Sequence, residues 1–363
     1  MGVNLVKPFS KTFYKTFMNR KVRIEDVARE AGVSPTAVSF AFNSPARLNS
    51  ATVQRILKIA DTLGYAPNPH ARALLARSVG VIGILTPQTL PSIFANPFYS
   101  AFHEGVGQVC EAHNLSLLTI SVSQSLSEAA ANAPVDGLII VGLNERHPEI
   151  EVLLRRKMPF VIVDGDSVVA PSVNVDDESG AFQAASYLLE SGHRDILALT
   201  FELDYSATHT DKVYGVGQRR LDGFKRAFEQ GGLPWDDEFL IPTPTSVTGG
   251  AESFRGIWAS GKRPTALLSV ADIMAIGVLE AAADAGVRVP DDLSVIGFDD
   301  IPQAKWTNPP LTTVRQPILE KGEQAAQLLL ALIANELTGP ANLLLPTELI
   351  VRASTQEVTH RKD

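Results

Sequence analysis

The stretch AGVSPTAVSFAFN, residues 31–43, joins the end of one predicted helix to the start of another. Gly32 is suited to the left-handed conformation that ends a helix. Ser34 can cap the next helix, and Pro35 fits the first helical position because no N–H is needed there. We expect this second helix to run to about Phe42. Two helices joined by a glycine-containing turn are typical of a helix-turn-helix module.

The flanking residues supply two further helices. Upstream, apolar residues at helical spacing predict a first helix with Ile24, Val27, Ala28 and Ala31 on one face. Downstream, Ser50 begins a third helix with an apolar face made of Val53, Ile56, Leu57, Ala60 and Leu63. Residues 22–66 are therefore predicted to form a helix-turn-helix DNA-binding domain. The alternative is a small three-helix bundle without a ligand.

The second helix would lie in a major groove of DNA, with its N-terminal residues at the base edges. Its DNA-binding candidates are Ser34, Pro35, Thr36, Ser39, Phe40 and Asn43. Ala37 and Val38 are expected to pack inward. Phe40 cannot form a bidentate contact with guanine, but it can touch a thymine methyl group or a sugar.

Residues 67–78, PNPHARALLARS, have Asn68 as a cap and Pro69 at the first helical position, and they predict a helix of only about eight residues, called the hinge helix below. A helix this short is marginal in water by itself, because isolated helices below about 12–15 residues gain too few hydrogen bonds. Arg72 can meet phosphates, and Leu74 can act as an apolar wedge in a minor groove. The DNA-binding candidates in this segment are Asn68, Ala71, Arg72 and Leu74.

The formal net charge of −8 is unevenly distributed. Residues 1–78 hold 12 Lys and Arg against 4 Asp and Glu, whereas the later residues hold 20 against 36. A basic head on an acidic body indicates double-stranded DNA as a partner of the head alone. Residues 1–21 are predicted to be a basic flexible arm, with Met18 as an alternative translation start.

Compartment signals point to the cytoplasm. Cys110 is the single cysteine, so no disulfide can form within the chain. No apolar run reaches the roughly 18 residues that a membrane span requires. The N-terminus has no apolar segment of the kind found in secretory signals. We therefore expect a cytoplasmic protein with no membrane partner.

Beyond residue 78, short apolar runs alternate with helical patterns. The candidate strands are 79–85, 115–120, 137–142, 159–163, 195–200, 238–241, 265–269 and 293–298. Such strands predict parallel sheets with helices on both faces. The predicted fold is an all-α headpiece and hinge helix followed by an α/β core of two doubly wound parallel-sheet lobes, like a periplasmic binding protein. A ligand would lie between the lobes at the carboxyl ends of the strands.

The core lacks the motifs of the common enzymes on such sheets. It has no Gly-x-Gly-x-x-Gly turn into a helix, no Walker loop, no Gly-x-Ser-x-Gly elbow and no His pair at metal spacing. We expect no catalytic residues, no metal and no cofactor. The rivals to a DNA-binding regulator are an enzyme on a doubly wound sheet and a solute-binding protein, which would have no use for residues 22–77.

Polar side chains at the ends of predicted strands indicate which chemical class of ligand the core binds. Asp164, Asp272 and Asp299 each follow an apolar strand, and Arg220 is predicted to open a helix. Carboxylates and a guanidinium suit a polyhydroxylated ligand, although an Asp after a strand can also be a helix cap. Aromatic side chains can cover a sugar or base ring. The effector-binding candidates are Phe98, Tyr99, Asp164, Arg220, Asp272, Asp299 and Trp306.

Motifs in both parts resemble the lactose/galactose repressor (LacI/GalR) family of transcriptional regulators. IEDVAREAGVSPTAVSFAFN and LGYAPNPHARALLAR resemble its headpiece and hinge helix, while PFVIVDGD, DDLSVIGFDDIP and PPLTTVRQP resemble its core. The resemblance implies a repressor that is a homodimer or a tetramer, with Leu74 inserted into a palindromic operator. It also implies a small-molecule effector contacted by Phe98, Asp164, Arg220 and Asp299.

The sequence departs from the family at three other positions, two in the second helix and one in the core. Ala37 and Phe40 stand where threonine and arginine are frequent, and Ala271 stands where asparagine is frequent. Base specificity and effector identity therefore stay open. A sugar is the favoured effector, and a nucleoside or purine is the alternative.

The resemblance also divides the core, residues 79–352. Lobe one is expected to take 79–176 and about 317–340. Lobe two is expected to take 177–312 and about 343–351, and a tail follows at 353–363. Effector binding between the lobes is expected to be coupled to DNA binding.

Overall fold

The computed structural model describes residues 22–66, 78–121, 133–143, 145, 148–202, 215–337 and 341–358. Its contacts divide the chain into two units, a headpiece within Met1–Val79 and a core within Gly80–Asp363. The predicted arm at 1–21 and the hinge candidates Asn68, Ala71, Arg72 and Leu74 lie outside the described residues.

The described headpiece contains three helices, α1 (Ile24–Ala31), α2 (Pro35–Asn43) and α3 (Ser50–Leu63), with a 3-10 turn at Pro45–Arg47. Gly32 ends α1 with a left-handed φ of 62°, as predicted. Ser34 Oγ accepts a 3.1 Å hydrogen bond from the N–H of Ala37 and so caps α2. The cap of α3 is Asn49, whose side chain accepts from the N–H of Ala51.

A small apolar cluster holds these helices together. Its buried members are Val27, Ala28, Ala31, Val38, Ala41, Ile56 and Ala60. The predicted apolar face of α3 is wrong at Leu57 and Leu63, which remain exposed. Successive helical residues are rotated by about 100°, so Leu57 is turned away from the line of Ile56 and Ala60.

The core alternates strands and helices along the chain. Its described strands are β1 (Val81–Thr86), β2 (Ser116–Ser121), β3 (Gly137–Val141), β4 (Phe160–Val163), β5 (Ser172–Val175), β6 (Ile196–Phe201), β7 (Leu240–Thr243), β8 (Ala266–Ser269), β9 (Ser294–Asp299), β10 (Thr312–Arg315), β11 (Asn342–Leu345) and β12 (Glu348–Ile350). Its described helices are α4 (Leu90–Ala95), α5 (Pro97–Ala112), α6 (Pro148–Arg156), α7 (Asp177–Glu190), α8 (Val216–Gln230), α9 (Val247–Ala259), α10 (Asp272–Asp284) and α11 (Ile318–Ile333).

The described strands form two six-stranded sheets. Sheet one has the order β11-β5-β4-β3-β1-β2, and all its neighbours are parallel. Sheet two has the order β12-β10-β9-β8-β6-β7, and it is parallel except for the β10–β12 pair. This architecture confirms the predicted α/β core of two parallel-sheet lobes.

The strand predicted near 343–351 in lobe two is split between the lobes. β11 pairs in parallel with β5 of sheet one, whereas β12 pairs antiparallel with β10 of sheet two. The prediction is therefore wrong for β11. An apolar extended run can join either sheet edge, and its side-chain pattern carries no signal for which edge lies nearer.

Helix α11 returns the chain to lobe one, where it packs against α5. A Cβ added to Gly105 would lie 2.0 Å from the carbonyl oxygen of Leu319, so the glycine permits this close approach. The first turn of α11 is thereby held beside the end of β4. This packing places Lys321 next to the carboxyl ends of the strands in lobe one.

Candidate functional site

In the headpiece, α2 presents the predicted DNA-binding residues at the surface. Ser34, Pro35, Thr36 and Asn43 are exposed, whereas Ser39 and Phe40 are half-buried. Positions 36, 40 and 43 are four and three residues apart, so they share one face of the helix. Val38 is fully buried as predicted, but Ala37 is only half-buried.

In the core, a cavity of about 320 Å³ lies between the lobes at the carboxyl ends of their strands. Five predicted effector residues line it, namely Phe98, Tyr99, Asp164, Arg220 and Asp299. Asp272 and Trp306 do not line it. The cavity is large enough for a small organic ligand.

Asp164 reaches this cavity from the end of β4. Its Oδ1 accepts a 2.7 Å hydrogen bond from Nζ of Lys321, a fully buried lysine on α11. Lys321 also donates to Oε1 of Gln316, and its Nζ lies 5.3 Å from the centre of the Phe98 ring. The ammonium compensates a carboxylate that would otherwise be costly to bury.

Asp299 faces the same cavity from the end of β9 in lobe two. Its Oδ1 accepts a 2.5 Å hydrogen bond from Nε2 of Gln316 and lies 3.6 Å from Nη1 of Arg220. Burial raises the pKa of Asp299 to about 6, while Arg220 and Gln316 limit the rise by favouring the charged form. Because Gln316 bonds both Lys321 and Asp299, it links the carboxylates of the two lobes.

Arg220 is held against the cavity by several partners. The prediction that it opens a helix is wrong, since α8 begins four residues earlier. Its Nε donates to Oδ1 of Asp177 at 2.9 Å, and its guanidinium also donates to the Val270 carbonyl. Its Cζ lies 3.6 Å from the centre of the Phe298 ring. Asp177 is fully buried and accepts from Arg219 as well, so the orientation of Arg220 is determined by its surroundings.

The structure does not bring Asp272 to the cavity. Its side chain is fully buried and accepts hydrogen bonds from Thr313 Oγ1 at 2.5 Å and from the Ile301 N–H at 3.0 Å. It lies over Gly297, where an added Cβ would be 2.1 Å from Asp272 Oδ1. Burial, with a contribution from the charge of Asp299, raises the pKa of Asp272 to about 8. Asp272 therefore joins α10 to β9 and β10, and the neighbouring Ala271 lines the cavity instead.

Trp306 is also separate from the cavity. It follows the 3-10 turn Pro302–Lys305, and 76% of its surface is exposed. The aromatic lining consists of Phe98, Tyr99 and Phe201. Burial raises the pKa of the Tyr99 hydroxyl, which lies 3.4 Å from Thr86 Oγ1. The prediction for Trp306 is wrong for this lining, because it rests on residue type alone and the side chain lies at the surface.

Sequence reasoning missed Lys321, Gln316 and Asp177. For Lys321 a signal was present, because residues 318, 322, 325 and 329 form the apolar stripe of α11 and position 321 falls within it. A charged residue in an apolar stripe indicates a buried partner. Gln316 and Asp177 carried no comparable signal, since neither lies between the residues of an apolar stripe of this kind and their partners Asp299 and Arg220 are 17 and 43 residues away.

The cavity can accept hydrogen bonds from two sides. Oδ2 of Asp164 and Oδ2 of Asp299 have no hydrogen bond to any residue that the structure describes. Ionised carboxylates only accept, so a ligand there must donate, as hydroxyl groups do. Arg220 adds a donor group to the wall formed by lobe two.

The described ranges hold neither a metal site nor a membrane span. They contain no group of three His, Cys, Asp or Glu side chains arranged to hold a metal ion. Their helices do not combine the length and the hydropathy that a membrane span requires. His193 is buried, with ring nitrogens 3.0 Å from Thr265 Oγ1 and 3.1 Å from the Gln356 carbonyl. Burial lowers its pKa, and its contacts join the residue before β8 to the C-terminal segment.

Similar proteins are known for both parts of the chain. The family model for bacterial regulatory proteins, lacI family, matches residues 23–68, and that for a periplasmic binding protein-like domain matches residues 185–355. The HTH-type transcriptional regulator DegA of Bacillus subtilis is 31% identical, with 92% of this chain and 98% of DegA covered. The HTH-type transcriptional repressor PurR of Vibrio parahaemolyticus is 30% identical, with 92% and 99% covered.

Solved structures agree with this similarity. The lac repressor dimer bound to operator and the anti-inducer ONPF has a TM-score of 0.78 at 26% identity, covering 93% of this chain and 100% of that chain. A complex of the transcriptional regulator CelR with cellobiose has a TM-score of 0.69 at 27% identity, covering 92% and 99%. The chain therefore belongs to the lacI family of bacterial regulatory proteins and is a DNA-binding transcriptional regulator.

Proposed function

We propose that this protein is a homodimeric repressor whose operator affinity is controlled by a sugar-like effector bound between the lobes of the core. The observation that carries the proposal is the pair of carboxylates, Asp164 and Asp299, that face one cavity from different lobes. Each has one oxygen held by protein and a second oxygen that accepts no hydrogen bond from the described residues. An effector that bonds both would hold the lobes in one arrangement.

The chemistry of the wall favours an uncharged effector with several hydroxyl groups. Lys321 is already paired with Asp164, and Arg220 with Asp177, so these buried charges are largely balanced within the protein. Phe98 and Tyr99 offer apolar surface to a sugar ring. CelR, which has a similar fold, was solved with cellobiose.

The DNA-binding part of the proposal rests on α2 and on the hinge segment. We propose that Thr36, Ser39, Phe40 and Asn43 face the bases of a half-site, with Ser34 and Pro35 at the start of the same helix. Asn68, Ala71, Arg72 and Leu74 would contact the minor groove between two half-sites. The lac repressor dimer, to which this chain is similar, was solved on its operator.

Effector and operator binding would be linked through the core. A ligand that favours one lobe arrangement shifts DNA affinity only by its preference for that arrangement, typically about 1–3 kcal/mol. We further propose that the protein works in the cytoplasm, where its DNA target lies, and that it has no catalytic residues, cofactor or metal.

Fluorescence anisotropy at about 0.15 M salt would test this function. The full chain would be titrated against DNA from its own upstream region and against a shuffled copy. We expect at least a 100-fold preference, roughly 2.7 kcal/mol. Sugars would then be screened for release or tightening. Equal, salt-sensitive binding to both DNAs would argue against an operator in that region.

Asp299→Asn would connect the effector response to the cavity. We expect it to weaken the sugar response at least 10-fold while leaving DNA preference intact. Asp291→Asn is a matched control, because Asp291 is an exposed carboxylate paired with Arg288 on the surface. Equal effects of the two substitutions would contradict the site.

A purine is the second candidate effector, supported by the similarity to PurR and by the aromatic lining of the cavity. The same assay would be repeated with hypoxanthine, guanine and adenosine. A response to a purine but to no sugar would replace the sugar in the proposal. The role of the cavity would remain testable with Asp299→Asn.

A further inference from the structure

Helix α2 has no charged side chain in its whole length, PTAVSFAFN. It is nevertheless the helix proposed to lie in the major groove. Guanine is most often read there by a bidentate arginine, because the guanidinium fork matches its O6 and N7 acceptors. A guanidinium for this purpose must come from a neighbouring segment.

Arg47 provides one. Its Cζ lies over the ring of Phe40, 5.1 Å from the centroid. The 3-10 turn that carries it is closed by a 3.0 Å hydrogen bond from the Arg47 N–H to the Ser44 carbonyl. The Ser44 N–H donates in turn to the Phe40 carbonyl at 2.8 Å. The turn therefore folds the chain back so that Arg47 reaches the face of α2 that contains Phe40.

The guanidinium of Arg47 is exposed. Within the described part of the headpiece it makes no ion pair and no side-chain hydrogen bond. Arg29, by contrast, donates to Asp26 at 2.7 Å. An arginine stacked on an aromatic ring keeps the N–H donors at its edge available, and the stacking limits its conformational freedom.

We propose that Phe40 and Arg47 form one base-reading unit, in which Arg47 bonds a guanine and Phe40 covers the methyl group of an adjacent thymine. The inference rests on the proposed placement of α2 in the major groove. Thr36 and Asn43 flank Phe40 on the same helix face, so the unit lies within the surface directed at the bases.

The competing role for Arg47 is a phosphate contact. A phosphate contact would strengthen binding to every sequence and would add about one to the slope of log affinity against log salt. A base contact acts at one position of the half-site. Lysine can replace arginine at a phosphate but not in a stacked, bidentate contact.

Selection from a random double-stranded DNA library by the full chain would distinguish these roles. Wild type should enrich a motif with a fixed guanine. Arg47→Ala and Arg47→Lys should both lose the preference for guanine at that position by about 5- to 150-fold while retaining the rest of the motif. Arg29→Ala is the control, since it removes an exposed arginine that is already paired, and its motif should match wild type.

A second measurement tests the proposed contact between the Phe40 ring and the thymine methyl group. Replacing the adjacent thymine by uracil removes one methyl group and should weaken wild-type binding about 4-fold, the worth of one buried carbon. The same replacement should leave Phe40→Leu less affected, and Phe40→Leu should also lose part of the guanine preference, because the guanidinium is no longer stacked.

An unchanged motif in Arg47→Ala, or a uniform loss rescued by Arg47→Lys, would overturn the base-reading unit while leaving DNA recognition intact. Failure of the wild type to enrich any motif would overturn both this inference and the proposed DNA-reading function.

Discussion

The headpiece and the effector cavity use charged side chains in opposite ways. In the headpiece, Arg29 pairs with Asp26 three residues away, and 76% of the Arg29 side chain is exposed. At the cavity, the lining residue Arg220 pairs with Asp177, 43 residues away, and their side chains are 3% and 0% exposed. Exposed ion pairs contribute about 0–1 kcal/mol to the unfolding free energy because water screens them. Breaking a buried pair costs more, because it leaves a buried charge without a partner. Charge thus maintains the geometry of the cavity, while apolar packing maintains the headpiece.

The largest effect is expected from Asp177→Ala. Arg220 would lose its buried partner and Arg219 would lose the same carboxylate, so the core should lose about 3–5 kcal/mol of unfolding free energy. Arg29→Ala, which breaks the exposed pair, should cost less than about 1 kcal/mol. Urea unfolding followed by tryptophan fluorescence reports the core, where Trp235, Trp258 and Trp306 all lie. Headpiece unfolding would be followed by circular dichroism, and equal losses in the two regions would contradict the comparison.

A second, smaller effect is expected from Lys321→Met. The substitution leaves Asp164 buried without a cation, and we expect a loss of about 3 kcal/mol in the core. Lys321→Met combined with Asp164→Asn removes both charges and should recover more than half of that loss. The same fluorescence-detected urea titration measures both variants. If the double variant were no more stable than Lys321→Met, packing rather than charge balance would explain the role of Lys321.

The buried acid Asp272 should make core stability depend on pH. Its pKa is raised by burial to about 8, so the folded state holds the proton more tightly than the unfolded chain. The stabilisation from this group is complete below about pH 4 and is lost as pH rises to about 8. We expect the unfolding free energy to fall by on the order of 2 kcal/mol from pH 6 to pH 8.

Asp272→Asn should flatten this pH dependence, because the amide resembles the protonated acid. Urea titrations at pH 6, 7 and 8 would compare the variant with wild type. An undiminished slope in Asp272→Asn would assign the pH dependence to another group.

The smallest effect concerns the cap of α2. Ser34→Ala removes the hydrogen bond to the Ala37 N–H and should destabilise the headpiece by about 1 kcal/mol, without changing the unfolding of the core. Thr36→Ala, two residues along and not involved in capping, is the control. Thermal unfolding followed by circular dichroism at 222 nm would show the difference. A shift in core fluorescence with Ser34→Ala would contradict the separation of the two units.

The sequence predicted the local structure of the headpiece better than the side chains that line the cavity. Gly32 and Ser34 were sufficient to place the turn and the start of α2, because a cap acts on residues two or three positions away. Asp164 and Asp299 were found because parallel strands bring their carboxyl ends to one edge of the sheet. Asp272 carried the same signal, yet its side chain turns to Thr313 and away from the cavity.

The sequence by itself determined the helix-turn-helix order, the alternation of strands and helices, and three of the polar residues that line the cavity. These follow from spacing and capping, which act over a few residues. Only the tertiary structure decided that β11 joins sheet one and that Arg47 lies over Phe40. It also decided that Lys321 pairs with Asp164, although 157 residues separate them in the sequence. Such pairings depend on distances in space after the elements have packed, and side-chain pattern along the chain does not encode those distances.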